Sequence, residues 1–178
     1  MAKFLFVRHG EADYSHCLDR GFTGLGIEMA QLSEIGKEQI KATSTDSRLQ
    51  GADVLISSPY TRALQSASII ARSVNLDIHV EVDVHEWMPD KTFQCKNDAD
   101  IDSLHSDFEK HKGVYPEGAT RLWEDCLSVK KRALSVLEKY KHLEKVIIVC
   151  HGYLISMTTT DNYQKVINNG EIIEFIYD

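Results

Sequence analysis

Two short apolar runs, each ending in a His-Gly pair, constrain this chain more than any other feature. Lys3-Phe4-Leu5-Phe6-Val7 leads into Arg8-His9-Gly10-Glu11, and Val146-Ile147-Ile148-Val149-Cys150 leads into His151-Gly152. A continuous apolar run of this length, rich in aromatic and β-branched residues, reads as a strand buried on both faces, as in a parallel sheet covered by helices. Ligands of open α/β sheets bind outside the carboxyl ends of the strands. Two histidines at two such ends can therefore face one pocket, and Arg8 fits that pocket for an anion. The combination suggests phosphate chemistry at a histidine.

The rest of the chain supports the alternation that such a sheet needs. Ser33 caps a predicted helix to about residue 44, with Leu32, Ile35 and Ile40 inward. Residues 53–56 read as a short strand. Ser58-Pro59 reads as a helix start, with Ser at the cap and Pro in the first turn. The following helix buries Ala63, Leu64, Ala67, Ile70, Ala71 and Val74. Residues 76–82 alternate Leu76, Ile78, Val80 and Val82 against Asp77, His79 and Glu81, the pattern of a half-exposed strand. Residues 11–31 read as a loop, and residues 84–118 as a polar, irregular insertion with one or two short helices. A long helix follows, capped at Thr120 and running to about residue 141, with Leu122, Cys126, Val129, Ala133, Val136, Leu137 and Tyr140 inward. After strand 146–150 come a helix from about residue 153 and a closing strand over 171–177. This order predicts an α/β fold: a three-layer α-β-α sandwich around a mostly parallel central sheet. With 178 residues and no linker or repeat, the chain reads as one domain over 1–178, with 84–118 as a lid-like insertion.

Composition excludes several classes of function. The net charge of −7 opposes sequence-independent nucleic-acid binding, which needs a basic face. No run approaches the roughly 18–20 apolar residues of a membrane span, and the N-terminus carries no secretory pattern. The expected location is cytoplasmic. Cys17, Cys95, Cys126 and Cys150 lack CxxC spacing and read as reduced thiols rather than disulfides or a zinc site.

Phosphoryl chemistry needs a nucleophile, cationic donors for the non-bridging oxygens, and a proton source for the leaving oxygen. His9 is the candidate nucleophile, since a neutral imidazole is competent near pH 7. Taken alone, it is as readily a hydrogen-bonded histidine at a strand end. Arg8 and Arg62 are candidate clamps, because the guanidinium fork matches phosphate oxygens. Arg62 falls in the first turn of a helix, where backbone donors favour anions; an isolated helical arginine would otherwise be solvated. His151 reads as a second imidazole donor or a metal ligand, but no HxH, HxxxH or HExxH spacing supports a metal. Glu86, just past strand 76–82, is a candidate general acid, and Glu11 competes with it.

In order along the chain, Phe6-Val7-Arg8-His9-Gly10-Glu11, Leu32-Ser33-Glu34-Ile35-Gly36-Lys37-Glu38-Gln39, Ser57-Ser58-Pro59-Tyr60-Thr61-Arg62-Ala63-Leu64-Gln65-Ser66-Ala67, His85-Glu86-Trp87 and Val149-Cys150-His151-Gly152 resemble the histidine phosphatase superfamily, also called the phosphoglycerate mutase-like family. The resemblance implies a phosphoglycerate mutase-like fold and transient phosphorylation of His9. It further implies Arg8, Arg62 and His151 on the phosphoryl oxygens, Glu86 as proton donor, and no metal or organic cofactor. Ser15 stands where members often bind phosphate, many of them through Asn. Mutases of this family resemble longer chains with segments that enclose a bisphosphate. Here residues 84–118 carry Asp90, Asp98, Asp100, Asp102, Asp107, Glu109 and Glu117 against Lys91, Lys96, Lys110 and Lys112, which is no trap for a second phosphate. The reading is therefore a metal-independent phosphomonoesterase, with a mutase or a non-catalytic phosphate-binding protein as alternatives. The size of the insertion favours a small phosphorylated metabolite over a phosphoprotein. Trp87, Met88, Phe93 and Tyr115 line its apolar wall, or pack the insertion onto the domain, the expected role of at least two of them. The substrate, the oligomeric state and the role of Cys17 are not legible.

Overall fold

The computed structural model describes residues 1–178. Strand β1 (Ala2–Arg8) is followed by the two-residue strand β2 (Ala12–Asp13) and the short helix α1 (Ser15–Asp19). A 3₁₀ segment at Gly24–Met29 leads to β3 (Gln31–Leu32) and helix α2 (Glu34–Ser44). Strand β4 (Val54–Ser57), helix α3 (Thr61–Val74) and strand β5 (Ile78–Val80) come next. Helices α4 (Asp98–Lys110) and α5 (Cys126–Tyr140), strand β6 (Lys145–Cys150), helix α6 (Gly152–Thr159) and strand β7 (Ile172–Tyr177) complete the chain.

Five strands form one sheet in the order β5-β4-β6-β1-β7. β5, β4, β6 and β1 run parallel, and β7 closes the edge antiparallel to β1. Alternate side chains of the central strands enter two cores, as the pleat requires. Phe4, Phe6, Ile56, Val146 and Ile148 pack with Val129, Ala133 and Val136 of α5 and Leu154 and Ile155 of α6. Leu5, Val7, Leu55, Ile147 and Val149 pack with Ile40 of α2 and Ala63, Ala67 and Ile70 of α3. This is the three-layer sandwich that the unalternated apolar runs require, since each of those strands is covered on both faces.

Several local expectations are corrected. α2 is capped by Ser33, whose oxygen accepts from Gly36 N–H, as the sequence reading has it. Its buried stripe is Gly36, Ile40 and Ser44, however, and Ile35, one residue out of phase, is exposed. α3 starts at Thr61, with no side-chain cap at Tyr60; Ser58 is engaged elsewhere, as described below. β5 is three residues long. Val80 and Val82 are exposed, because the strand lies at the sheet edge and the chain turns away at Val82–Val84. α5 is capped by Asp125, which accepts from Ser128 N–H, and not by Thr120. Residues 120–125 cannot join the helix because Trp123 stacks on Tyr115 with ring centroids 3.6 Å apart, and Glu124 bonds backward to Met88. The segment read as a loop over 11–31 contains α1, and the polar insertion contains one 13-residue helix, α4.

The insertion is pinned to the sheet by a buried ion pair. Arg132 of α5 meets Glu124 in a fork, with Nε–Oε1 at 2.7 Å and Nη2–Oε2 at 3.0 Å. The same guanidinium donates to the backbone oxygens of Asp83, His85 and Glu86. It thereby fixes the chain where β5 hands over to the insertion. Trp87 is buried against Phe108, and its Nε1 donates to Glu124 O. Of the four residues read as wall or packing, Trp87 and Tyr115 do pack the insertion. Breaking one side of a buried pair strands the other charge, at a cost of about 3–5 kcal/mol. Glu124→Gln keeps the shape and removes the charge, so unfolding in urea should show a loss of about 3 kcal/mol. A loss under 0.5 kcal/mol would mean that the pair is not what fixes residues 83–86.

Candidate active site

The parallel register of β1 and β6 places Arg8 level with Cys150, and His9 N–H donates to Cys150 O at 3.0 Å. His9 and His151 therefore leave the sheet side by side, with ring centroids 5.1 Å apart and the rings steeply inclined. β4 ends beside β6, so Ser58 and Arg62 arrive at the same edge. The site is thus assembled from three strand ends.

The loop after β1 is held tightly. A Cβ on Gly10 would stand 2.3 Å from Gly36 O, and one on Gly36 would stand 2.1 Å from Glu11 O. Only glycine at both positions allows the loop to press onto the start of α2. Gly10 N–H donates to Ser66 Oγ, Glu11 N–H to Gln39 Oε1, and Asn169 Nδ2 to His9 O.

Hydrogen bonding fixes the form of His9. Nδ1 lies 2.6 Å from Gly10 O, which can only accept, so Nδ1 carries the proton. Nε2 lies 3.1 Å from Arg62 Nε, which can only donate, so Nε2 presents its lone pair. Burial, reinforced by the Arg62 charge, pushes the His9 pKa down to about 3. The imidazole is neutral at pH 7, with its Nε2 lone pair accepting from the arginine.

His151 is fully buried, and burial together with Arg62 holds its pKa well below the usual histidine range. Its Nε2 is 2.7 Å from Ser58 Oγ. Ser58 Oγ also accepts from Tyr60 N–H; when its hydroxyl donates to Nε2, the proton of His151 sits on Nδ1. That Nδ1 has no partner, and neither has the buried Nε of Arg8. Arg8 donates through Nη1 to Ile167 O. Buried donors are normally satisfied. These two are the only unpaired buried side-chain nitrogens or oxygens in the chain, and both belong to the residues read as phosphate clamps.

Glu86 lies at the N-terminus of α6. Its Oε1 accepts from Trp87 N–H at 2.9 Å and Leu154 N–H at 3.1 Å, and its Oε2 accepts from Tyr153 N–H at 3.3 Å. These bonds favour the carboxylate, but burial outweighs them and raises the pKa. Glu86 and Arg8 share a cavity of about 320 Å³. Glu11, the competing carboxylate, accepts from Ser33 Oγ at 2.7 Å.

Arg62 is buried and ion-paired with Glu28, a residue of the 3₁₀ segment for which the sequence carries no signal. The Arg62 guanidinium also lies 5.2 Å from the centre of the Tyr60 ring. Ser58, a helix cap by its sequence pattern, is in the structure the partner of His151. Arg8, His9, Arg62, Glu86 and His151 are brought to one end of the sheet. Ser15 is not tied to them by any hydrogen bond; it is exposed at the start of α1, with its N–H on Asp13 Oδ1. Cys17 is buried and free. No three His, Cys, Asp or Glu side chains converge as a metal cluster, and no helix is long and apolar enough to cross a membrane.

The fold is shared with solved phosphatase structures. The mycobacterial glucosyl-3-phosphoglycerate phosphatase bound to inorganic phosphate matches with a TM-score of 0.73 at 18% identity, over 98% of this chain and 89% of that one. The phosphoserine phosphatase of Entamoeba histolytica in complex with 3-phosphoglyceric acid matches with a TM-score of 0.70 at 23% identity, over 99% and 91%. A putative alpha-ribazole-5'-P phosphatase from Escherichia coli matches with a TM-score of 0.63 at 16% identity, over 88% and 77%. No curated protein sequence matches the chain. The model of the histidine phosphatase superfamily (branch 1) matches residues 4–170. With nearly the whole chain covered, and two histidines and two arginines gathered where its strands end, the protein belongs to the histidine phosphatase superfamily.

Proposed function

We propose that the protein is a metal-independent phosphatase that hydrolyses phosphomonoesters of small metabolites through a phosphohistidine at His9. The observation that carries this reading is the state of His9. It is a neutral imidazole with Nδ1–H tied to Gly10 O and an unprotonated Nε2 whose lone pair accepts from Arg62 Nε–H. Such a group attacks phosphorus without first losing a proton.

In the first step His9 Nε2 bonds to phosphorus and the ester P–O bond breaks, leaving the alcohol oxygen to take a proton from Glu86. Arg62 exchanges its bonds to His9 and Glu28 for phosphoryl oxygens. Arg8 Nε and, in its Nδ1-protonated form, His151 Nδ1, both without a partner in the free site, take the remaining charge. Donors already fixed in a buried site stabilise developing charge with little reorganisation. In the second step Glu86, now ionised, accepts a proton from water as its oxygen bonds to phosphorus and the P–N bond breaks. A raised carboxyl pKa suits both halves, since the group must hold a proton and then accept one.

The walls of the site favour phosphatase over mutase. A mutase must hold a second phosphate, and the cavity beside Arg62 has no Lys or Arg in its lining; in the cavity beside Glu86 the cations are Lys165 and Arg8, the latter assigned to the first phosphate. The deciding experiment measures phosphate release from a panel of phosphomonoesters in EDTA, with isomerisation of 3-phosphoglycerate alongside. Release that resists EDTA is expected. Isomerisation without release would make the enzyme a mutase, and inactivity in both assays would leave a phosphate-binding protein.

Three outcomes test the mechanism. His9→Ala should lower turnover on the order of 10⁴-fold or more and abolish the acid-labile phosphoenzyme seen after rapid quench; retained activity would remove the phosphohistidine. Glu86→Gln should slow alkyl phosphates by about 10²–10⁴-fold but 4-nitrophenyl phosphate far less, because a good leaving group needs no proton. Equal losses would place the acid elsewhere. Finally, the folded pKa of His9, about 3, lies below the unfolded value of about 6.5. Between those values the unfolded chain binds more protons, so stability is full above pH 6.5 and falls as pH drops toward 3, by up to about 1.4 kcal/mol per pH unit for each such imidazole. His9→Gln should flatten that slope in urea titrations at pH 4.5 and 7; an unchanged slope would show that His9 titrates normally.

A further inference from the structure

The cavity on the Arg62 side, about 370 Å³, is walled by the 3₁₀ segment Gly24–Met29, by Tyr60, and by the insertion from Trp87 to Ile101. It meets the reaction centre at Glu28 and Tyr60, both in contact with Arg62. Two cavities reach the site, this one and the one beside Arg8 and Glu86, and the alcohol part of a phosphomonoester is assigned to the more apolar space beside Arg62. Its walls are largely apolar, with Leu25, Ile27, Met88 and Phe93 among them. The charged groups that line it are Glu28, Asp90 and Asp98, all carboxylates, with no Lys, Arg or His. Asp90 stays ionised because Thr92, Gln94 and Cys95 all donate to it.

Glu28 joins this cavity to the reaction centre. Its carboxylate occupies Nη1 of Arg62, a donor that a phosphoryl group needs. A phosphate that takes Arg62 leaves Glu28 with an uncompensated charge at the cavity mouth. A second anion on the substrate would then be held against Glu28, Asp90 and Asp98 in a partly desolvated space, where like charges repel strongly. An ammonium group would replace the partner that Glu28 lost.

We propose that the substrate is a phosphomonoester whose alcohol part is apolar and bears an ammonium group, with Glu28 as the residue that selects it by exchanging Arg62 for the substrate cation. The inference rests on the phosphatase reading. It excludes 3-phosphoglycerate and other substrates with a second anion as good substrates for this chain.

The test uses the full chain and three aryl phosphates with closely matched leaving groups: 4-(2-aminoethyl)phenyl, 4-ethylphenyl and 4-(2-carboxyethyl)phenyl phosphate. The expected order of kcat/KM is ammonium, then ethyl, then carboxylate, with the first and last separated by about tenfold or more, and narrowing in 1 M salt. Glu28→Gln should bring the ammonium-to-carboxylate ratio close to one. Asp98→Asn, at the exposed rim, should lower the same ratio by a smaller factor. Because the readout is a ratio, a general loss of activity on disturbing Arg62 cancels. Equal kcat/KM for all three, preference for the carboxylate, or a ratio unmoved in both variants would overturn the proposal and leave the phosphatase reading intact. Inactivity of the unmodified protein on all three, with no release from the wider panel, would overturn both.

Discussion

The pairing of β1 with β6 is the constraint on which the rest of the site depends. Adjacent parallel strands end at the same level, so residues just past their ends lie side by side without any further device. His9 N–H on Cys150 O sets that level, and the two imidazoles follow from it. A shift of one residue would turn every side chain of the strand to the opposite face. It would carry Phe4 and Phe6 out of one core and Leu5 and Val7 out of the other. The packing that stabilises the sheet is thus the packing that aligns the histidines.

Burial then decides the chemistry. An exposed histidine would be partly charged near pH 7, and its protonated form would offer no lone pair. Desolvation and the neighbouring arginines keep both rings neutral, and a carbonyl and a guanidinium fix the tautomer of His9. The same burial acts in the opposite sense on Glu86, where it raises the carboxyl pKa. Two imidazoles and one carboxyl thus respond differently to one environment, because the charged form is the acid of the first and the base of the second.

The insertion contributes by holding position as well as by forming a wall. Arg132 and Glu124 bind the turn that carries Glu86, and the aromatic cluster of Trp87, Phe108, Trp123 and Tyr115 fills the space between α4, α5 and the sheet. Met88 and Phe93 remain at the cavity. Glu28 stands on the opposite wall and links the cavity to Arg62.

The sequence by itself determined the layering of the fold and the types of group at the strand ends. Unalternated apolar runs demand burial on both faces, and Arg8-His9-Gly10 and His151-Gly152 directly follow two of them. Its errors came where local signals were overruled. Ser58 looked like a helix cap but is claimed by His151, Thr120 lost the start of α5 to Asp125 because Trp123 and Glu124 are held elsewhere, and the alternation over 76–82 lies on a sheet edge that leaves Val80 and Val82 bare. Only the tertiary structure could show the ion pair of Glu28 with Arg62, the support of residues 83–86 by Arg132, and the unpaired nitrogens of Arg8 and His151. The first two are contacts between residues 34 to 49 positions apart, and the third is a pair of buried atoms that no contact satisfies. Nothing in local spacing encodes them, because they arise from which strand ends the sheet order brings together and from how completely the packing excludes water.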